Sequence, residues 1–543
     1  MSQDRSKLRW NGWGWAARKD ELAQRDDVWV WLAAELGMPA LLATPARPLE
    51  EISLPPGTLA LPHRLELSAI VGASQLRESI AERAFHTRGR SYRDLLHLRA
   101  GDLAEAPDAV IYPRGTDEVL AILAVAATRR IAVIPFGGGT SLESGVAAIR
   151  GECESVITLD LSEMDRIIAI DTVSNTAEVE AGIYGPALES ALKAKGLTLD
   201  CAPQANEFST LGGWIAARPA DPFGPPPRWL CSVKLATPTG LINTGQRGAG
   251  PDMTNLVLGS EGQFGIITEA TIGLKPLPAE CHRHTYLFAD FSSGLAALRA
   301  IHQEGCSPVM LRLCDSEETR VLGTFEQLGK RRSMIDRLSA RFRAARGTIG
   351  QPCQMIAGFE GDAATIAFQR HRLEAVARRY HGIGQGRSEG SQHFQGPYIR
   401  DSLLERGMGV ETFEVSARWS NLQSVYESTR AGVDAALRET APRESAHGIV
   451  LCHVAAAAPS TATLAFTAIF PRAIGADLEQ ADKIEAAALQ AMLEAGGVPH
   501  RGSGWAKGTS SQDDNRESAV AVWRAVKLSL DPKDVLAPGK AIS

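Results

Sequence analysis

A glycine-rich stretch directly after a short apolar run is the feature that most constrains the fold of this chain. The run Ile131–Phe136 leads into three consecutive glycines, Gly137 to Gly139, and Thr140 and Ser141 follow at once. Glycine has no Cβ, so consecutive backbone N–H groups can turn toward one ligand, and the two hydroxyls add further donors. A loop of this composition is suited to a diphosphate, and we therefore predict a bound dinucleotide. A glycine-rich hairpin turn is the alternative interpretation.

The sequence after the glycines decides which kind of dinucleotide site this is. In Rossmann and P-loop proteins the glycines open a helix, whose N-terminus contributes to anion binding. Here a polar connection leads to another apolar strand, predicted over Val156–Leu161, with no clear helix between. Asp160 lies at roughly the 20-residue offset of a ribose-binding acid, but a Rossmann unit needs the helix that is missing. The loop also has no lysine, which argues against a P-loop.

Composition and charge narrow the functional class. A chain of 543 residues is expected to form about two or three domains. The formal net charge of −6 gives no basic face for nucleic acid, and no apolar run reaches the ~20 residues of a membrane-spanning helix. The eight cysteines lie far apart without a CxxC pair, which predicts reduced thiols and a cytoplasmic location. The N-terminus has no signal-peptide core.

The order of apolar and helical segments predicts an α+β protein. Residues 1–103 form an Arg-rich helical segment, and short strands then alternate with helices from residue 104 onward. The predicted helices include Asp27–Leu36, Leu65–Arg83, Glu317–Arg346, Ala363–Arg379, Gln480–Glu494 and Asn515–Leu530. The tryptophans of WNGWGW, Trp10–Trp15, are expected to dock on another part of the molecule, because exposed termini seldom hold three of them.

Several separated motifs together resemble one known family. They are PFGGGTSLESG, EFSTLGGWIAAR (Glu207–Arg218) and GSEGQFGIITEATIGLKPLP (Gly259–Pro278), together with WNGWG, SPVMLRLCD, PYIRDSLLERG and ETFEVSARW. They resemble the vanillyl-alcohol-oxidase (PCMH-type) FAD-binding flavoproteins, and within these the alkylglycerone-phosphate (alkyldihydroxyacetone-phosphate) synthases. The resemblance implies a two-subdomain FAD-binding domain over residues 104–279 and an α+β cap domain over 280–480. It also implies that a helical segment, 481–543, returns to the FAD-binding domain.

Small and hydroxyl residues in three of these motifs are the predicted cofactor-binding residues. They are Pro135, Gly137, Gly138, Gly139, Thr140, Ser141, Ser209, Thr210, Gly212, Gly213, Glu261, Gly262, Gly265 and Ile266. Small residues allow the backbone to approach a cofactor closely, and the hydroxyls add hydrogen bonds. A glycine needed only for a turn is the alternative for each motif by itself. No histidine lies in the diphosphate loop, so we expect non-covalently bound FAD.

The catalytic half departs from the family pattern. The resemblance implies exchange of the acyl chain of acylglycerone phosphate for a fatty alcohol, through a substrate adduct on flavin N5 and without net redox change. Ala465 stands at the position of the family's proton-abstracting tyrosine. Arg501, Gly502 and Ser503 stand at its run of histidines, and His500 lies one residue earlier. General acid–base help is worth about 10²–10⁴ in rate, so this loss predicts a shifted chemistry or substrate.

The remaining polar residues supply the candidate active site. The predicted catalytic residues are Arg218, His453, His500 and Ser503, and the predicted substrate-binding residues are Arg312 and Arg501. The resemblance carries over Arg218 as the active-site arginine after GGWIAA, while Arg312 is a cation suited to phosphate or carboxylate. The two histidines are candidates for proton transfer, with a structural hydrogen-bonding role as the alternative. No residues have the spacing of a metal site, and no metal is expected.

Two further segments bear on the substrate. The prolines that follow Arg218, in RPADPFGPPPRWL, stiffen a loop that in the family closes near the flavin, which predicts an altered substrate entrance. The Arg-rich helical segment Lys330–Arg346 is interpreted as a solvated face, with a contact to anionic lipid as the alternative.

Three functional hypotheses remain open from the sequence. The first is an FAD enzyme resembling alkylglycerone-phosphate synthase that acts on a phosphorylated or carboxylated, lipid-like small molecule. The second is an FAD-dependent dehydrogenase of a 2-hydroxy acid, and the third is a flavin-binding protein whose catalysis has decayed. A homodimer and a peripheral membrane contact are further expectations for the first hypothesis.

Overall fold

The computed structural model describes residues 5–18, 24–142, 145–201, 203, 205–218, 229–245, 252–306, 308–328, 352–387, 397–499 and 514–540. In chain order, the helices within these ranges are α1 Asp26–Glu35, α2 Leu61–Val71, α3 Ile80–Phe85, α4 Tyr92–Ala100, α5 Thr116–Arg129, α6 Gly185–Lys193, α7 Leu211–Ala217, α8 Thr254–Val257, α9 Phe291–Gln303, α10 Ser316–Gln327, α11 Ala363–Arg379, α12 Pro397–Leu404, α13 Leu422–Glu439, α14 Asp477–Glu494 and α15 Asp514–Leu530. None of these helices has both the length and the hydropathy needed to cross a bilayer.

The strands form three main sheets and one short two-stranded pair. In chain order they are β1 Leu76–Arg77, β2 Ala109–Ile111, β3 Ile131–Phe136, β4 Ser155–Asp160, β5 Ile167–Asp171, β6 Thr176–Glu180, β7 Leu197–Thr198, β8 Leu230–Thr237, β9 Gly240–Asn243, β10 Ile266–Gly273, β11 Lys275–Pro276, β12 Glu280–Phe288, β13 Met310–Cys314, β14 Cys353–Gly361, β15 Ile383–Arg387, β16 Met408–Arg418, β17 Ile449–Ala457, β18 Thr461–Pro471 and β19 Val498–Pro499. Helices and sheets are both present, so the predicted α+β class is confirmed.

The first sheet has four strands in the order β1-β2-β4-β3, and β2, β4 and β3 run parallel. Both faces of β3 and β4 are covered, which explains their nearly continuous apolar sequences. On one face, α2 and α5 share a core with the sheet. At the outer edge, a return of the chain near the C-terminus pairs Leu536 with Val133 of β3.

The second sheet has five antiparallel strands in the order β5-β6-β10-β8-β9. Its core contains apolar residues of α6 and α7. The last helix, α15, also packs here, with the Trp523 ring 4.7 Å from the Phe264 ring. The segment after β10 leads directly into the third sheet.

The third sheet has eight strands in the order β15-β12-β14-β13-β17-β18-β16-β19. One face packs against α9, α11, α13 and α14 in the largest apolar core of the described residues. Part of the opposite face is covered by α1, whose Val28 and Leu32 share a core with Val410 and Ile469. The rest of that opposite face carries polar residues, which concern the candidate site.

The N-terminal residues 5–18 run across the molecule. The Trp13 backbone N–H donates to Asp401 Oδ2 of α12 at 2.7 Å, while the Trp15 indole donates to Glu207 Oε1 at 2.7 Å. The Trp15 ring also lies edge-on to Phe208. The predicted docking of the tryptophans is therefore confirmed, and the segment connects the third sheet with the loop before α7.

One predicted helix is wrong and another is only partly described. The segment Leu65–Arg83 is not one helix, because α2 ends before Gly72, whose φ of +88° favours glycine and stops the helix. Strand β1 follows, and α3 begins only at Ile80. Of the predicted helix Glu317–Arg346, α10 is described through Gln327, and Lys330–Arg346 lies outside the described residues. The predicted helix Ala363–Arg379 is present as α11.

Candidate functional site

The glycine loop begins where two parallel strands end side by side. Phe136 of β3 is in register with Asp160 of β4, so the loop leaves the carboxyl end of the sheet, where open α/β sheets bind ligands. The described residues of the connection, 137–142 and 145–154, contain no helix. A Cβ added to Gly138 would lie 1.7 Å from the carbonyl oxygen of Phe208, and one at Gly137 would lie 2.3 Å from Thr210 Oγ1. The glycines therefore allow the loop to contact the second motif directly.

The second motif uses its hydroxyls within the protein. Thr210 is the N-cap of α7 and accepts from the Gly213 N–H, so Gly212 and Gly213 lie in the first turn of a helix. The Ser209 hydroxyl donates to the Ala205 carbonyl and accepts from the Trp214 indole at 2.6 Å. The second loop predicted to wrap the cofactor is thus the start of a short helix, and its two hydroxyls support the local backbone.

The third motif lies against the first. Gly262 has φ +78°, and a Cβ there would meet the Pro135 ring at 2.7 Å. The carboxylate of Glu261 lies beside Gly145, at 2.6 Å from an added Cβ. In contrast, Gly265 packs against strand β8, and the Ile266 side chain is fully buried in the core of the first sheet. Only the backbone of these last two residues could reach a cofactor.

We call Pro135, Gly137, Gly138, Gly139, Thr210, Glu261 and Gly262 the glycine cluster, because the structure brings these predicted residues of three separate motifs together. Thr140 and Ser141 continue the same loop, and the Ser141 hydroxyl accepts from the Gly145 N–H at 3.1 Å.

Two residues far from the three motifs, Arg5 and Lys540, also reach this region, and no sequence motif indicated either of them. Arg5 pairs with Asp160 at 2.9 Å and donates to the Gly137 carbonyl. Lys540 donates to the Gly145 carbonyl. Burial lowers the pKa of Lys540 to about 8, although the charges of Glu261 and Asp94 oppose this shift.

A second group of predicted residues meets on the third sheet. Arg312 of β13 and His453 of β17 both contact Glu318, which lies in the first turn of α10. His453 Nδ1 is 3.1 Å from Glu318 Oε2 and 3.1 Å from Arg312 Nη2. We call these three residues the Arg–Glu–His cluster. Sequence reasoning missed Glu318, which belongs to no recognised motif.

The carboxylate of this cluster contacts both a guanidinium and an imidazole. Burial by itself would raise the pKa of Glu318, but Arg312 and His453 outweigh it and lower this pKa to about 2. His453 Nδ1 lies 3.1 Å from both Glu318 Oε2, which accepts hydrogen bonds when ionised, and Arg312 Nη2, which only donates them. None of the described residues hydrogen-bonds to Nε2, the other nitrogen of the ring.

The position of the lost tyrosine lies directly beside this histidine. Ala465 of β18 is in register with His453 of β17 on one side and with Glu414 of β16 on the other. Directly opposed residues of antiparallel strands have side chains on the same face. Since Val454 and Phe466 point into the helix-covered core, His453 and Ala465 face the other way. The next pair on this face of β16 and β18 is Ser416 and Thr463, whose hydroxyls are 2.7 Å apart.

Behind the cluster, Asp315 anchors the neighbouring helices. It accepts from the Glu318 N–H at 2.8 Å, from Tyr426 at 3.1 Å and from Arg430 at 2.6 Å. Burial raises the pKa of Asp315 to about 6, although Arg430 opposes the shift. This aspartate thus holds α10 and α13 in place and supports Glu318 from its backbone side.

The other predicted catalytic residues are not brought to this cluster by the described part of the structure. Arg218 ends α7 with φ +42°, has an exposed side chain and lies beside Gly259. His500, Arg501, Gly502 and Ser503 lie outside the described residues, as does the proline-rich segment 219–228. Among the described residues, no group of His, Cys, Asp and Glu is arranged to hold a metal ion.

Two protein-family models match the chain. The model described as "FAD binding domain" matches residues 107–245, and the model described as "FAD linked oxidases, C-terminal domain" matches residues 278–541. The first match contains the first two motifs of the glycine cluster. The second match contains the whole Arg–Glu–His cluster.

Individual proteins are similar over nearly the whole length. An alkyldihydroxyacetonephosphate synthase of Trypanosoma brucei brucei is 28% identical, over 99% of this chain and 92% of that protein. A solved structure of an alkyldihydroxyacetonephosphate synthase has a TM-score of 0.85 and 25% identity, with 99% of this chain and 100% of that chain covered. A p-cresol methylhydroxylase structure shares the fold at a TM-score of 0.67 and 15% identity, over 88% and 96% of the two chains.

Proposed function

We propose that this chain, an FAD-dependent enzyme that matches an FAD-binding domain and the C-terminal domain of FAD-linked oxidases, exchanges the acyl chain of an acylglycerone phosphate for a fatty alcohol. The likeness to alkyldihydroxyacetonephosphate synthases over 99% of the chain supports the exchange reaction. The observation that carries the proposal is the position of His453, which lies beside Ala465 and has Nδ1 held by Glu318.

The residues present fit FAD. The glycine cluster leaves no room for a Cβ at Gly137 or Gly138, and buried polar atoms beside it, Tyr184 Oη and Ser260 Oγ, have no hydrogen-bond partner in the described structure. Such atoms are costly unless another group satisfies them. When bound, FAD supplies an electron-accepting ring, and the remaining steps depend on the side chains of this chain.

We assign proton transfer to His453. Its Nε2 takes the proton from the substrate carbon next to the ketone and returns a proton to that carbon after the alcohol has replaced the acyl group. Glu318 orients the ring through Nδ1 and stabilises the imidazolium that forms, as a carboxylate does behind a catalytic histidine. The reaction leaves no net redox change, because the ester C–O bond that breaks is replaced by an ether C–O bond.

Arg312 has a positioning role in this proposal. Its guanidinium is buried against Glu318 and keeps that carboxylate ionised. We retain Arg312 and Arg501 as the predicted substrate-binding cations, with Arg218, His500 and Ser503 as further predicted catalytic residues. A cytoplasmic location, a homodimer and a peripheral membrane contact are also proposed; sedimentation and flotation with anionic vesicles test the last two.

The experiment is an exchange assay with purified protein, palmitoyl-glycerone phosphate and labelled hexadecanol. We expect labelled alkylglycerone phosphate and free palmitate in equal amounts, without oxygen consumption. The dehydrogenase hypothesis predicts the opposite result: no exchange, and flavin bleached by D-lactate or glycolate in the absence of oxygen. A yellow protein that neither exchanges nor bleaches would show that catalysis has been lost.

A further inference from the structure

Arg5 occupies a buried position at the end of the first sheet. Its side chain is 10% exposed, and its guanidinium lies 5.2 Å from the centre of the Phe136 ring and 5.5 Å from that of Phe85. One nitrogen, Nη2, pairs with Asp160 and donates to the Gly137 carbonyl. An arginine close to the chain terminus is thus inserted beside the first glycine of the diphosphate loop.

The rest of this guanidinium has no partner in the described structure. Nε and Nη1 are buried and form no hydrogen bond, and the same holds for the Tyr184 hydroxyl. Tyr184 pairs with Thr210 of the glycine cluster through an isolated β-bridge. An unsatisfied buried donor costs about 1–3 kcal/mol and more when it is charged, so a group outside the chain is expected to accept from these atoms.

Asp160 does not accept from Arg5 Nε or Nη1, because both of its carboxylate oxygens already have other hydrogen-bond partners. Its Oδ2 is 2.8 Å from His86 Nε2, and its Oδ1 accepts from the Ser162 N–H at 2.9 Å as well as from Arg5. A guanidinium has donors only, and its planar fork matches the oxygens of a carboxylate or phosphate. The loop that it contacts is the one whose composition predicts a diphosphate.

We propose that Arg5 donates a hydrogen bond from one of its unpaired nitrogens, Nε or Nη1, to a diphosphate oxygen of FAD, with Asp160 holding the guanidinium in place. The proposal rests on the binding of FAD by this chain. It makes the N-terminal segment part of the cofactor site, whereas the sequence motifs place that site in residues 135–266 only. Arg5 is a binding residue for the cofactor and takes no part in the proton transfer assigned to His453.

The test measures the affinity of apoprotein for FAD, ADP and riboflavin by titration. We expect Arg5→Met to weaken FAD and ADP binding at least tenfold, and Arg5→Lys to weaken them less, because one ammonium replaces the fork. Riboflavin has no phosphate, so its binding should stay within twofold of wild type. Arg9→Met is the matched control, since Arg9 lies in the same segment but pairs with Asp401 and Glu405.

A second variant separates binding from folding. Arg5→Met leaves Asp160 buried without its arginine. The double variant Arg5→Met with Asp160→Asn removes both charges. It should recover the melting temperature of the apoprotein without recovering FAD affinity. FAD affinity within twofold of wild type in this double variant would overturn the proposal, as would an equal loss of riboflavin binding in Arg5→Met. Failure of the wild-type protein to bind FAD would instead overturn the proposed function itself.

Discussion

The glycine cluster and the Arg–Glu–His cluster are built from different kinds of residues on different sheets. In the glycine cluster the decisive groups are backbone atoms, and side chains are excluded because three loops touch one another. In the Arg–Glu–His cluster the decisive groups are polar side chains that come from two strands and one helix. The first arrangement accepts almost no substitution, while the second can be rebuilt with other side chains. This difference explains how a chain can keep the cofactor motifs while the side chains on the third sheet change.

The largest expected effect comes from breaking the Arg–Glu–His cluster. Glu318→Gln leaves the buried Arg312 without its counter-ion, and we expect the free energy of unfolding to fall by about 3–5 kcal/mol in urea titrations. Glu317→Gln is the control, because its pair with Arg320 is more exposed and should contribute less than about 1 kcal/mol. Equal losses in both variants would contradict the account.

The next test is the pH dependence of the difference in unfolding free energy between wild type and Glu318→Gln. The pKa of Glu318 is about 2 in the folded protein against an ordinary 4.5, so its ion pair stabilises the fold above about pH 4.5. This stabilisation is lost as the pH falls toward 2, and the two pKa values correspond to about 3 kcal/mol. The stability difference between wild type and Glu318→Gln should therefore stay nearly constant from about pH 6 to about pH 5 and shrink from there to about pH 3. A constant difference over this range would show that the charge of Glu318 is unimportant.

Crowding the glycine cluster should have a smaller effect on stability but a clear effect on the cofactor. A Cβ in Gly138→Ala would overlap the Phe208 carbonyl, so we expect a loss of about 1–3 kcal/mol and reduced FAD content. Gly323→Ala in α10 is the control, since its Cβ would meet nothing within 4 Å. It should stabilise the helix by about 0.5–1 kcal/mol. Full FAD retention in Gly138→Ala would show that the loops need not touch.

The smallest expected effect tests a hydroxyl that the sequence assigned to the cofactor. Ser209 bonds the Ala205 carbonyl and the Trp214 indole, so Ser209→Ala should cost about 1 kcal/mol of stability and leave the FAD dissociation constant within twofold. A tenfold weaker FAD affinity without a change in melting temperature would restore the original prediction that this hydroxyl binds the cofactor.

The residues of the glycine cluster could be singled out from the sequence because their signal is local, and their role in cofactor binding stays a prediction. A run such as Gly137 to Gly139 is visible in one short segment, and the motif around Gly262 is equally compact. The partners of Arg312 and His453 could not be found in this way, since Glu318 and His453 are 135 positions apart. Arg5 and Lys540 were missed for the same reason, because their role depends on where the chain ends fold back. Motif composition also gave no indication that Gly212 and Gly213 begin a helix, and their contact with the cofactor stays a prediction.

The most direct test of the account is the incorporation of solvent deuterium into acylglycerone phosphate, at the carbon next to the ketone, by wild type and by His453→Asn. We predict incorporation by the wild type and by the control His284→Asn, which changes a histidine elsewhere on the same sheet, at β12. His453→Asn should retain FAD and lose incorporation by about 10²–10⁴-fold. Incorporation at the wild-type rate by His453→Asn would contradict the assignment of proton transfer to this residue.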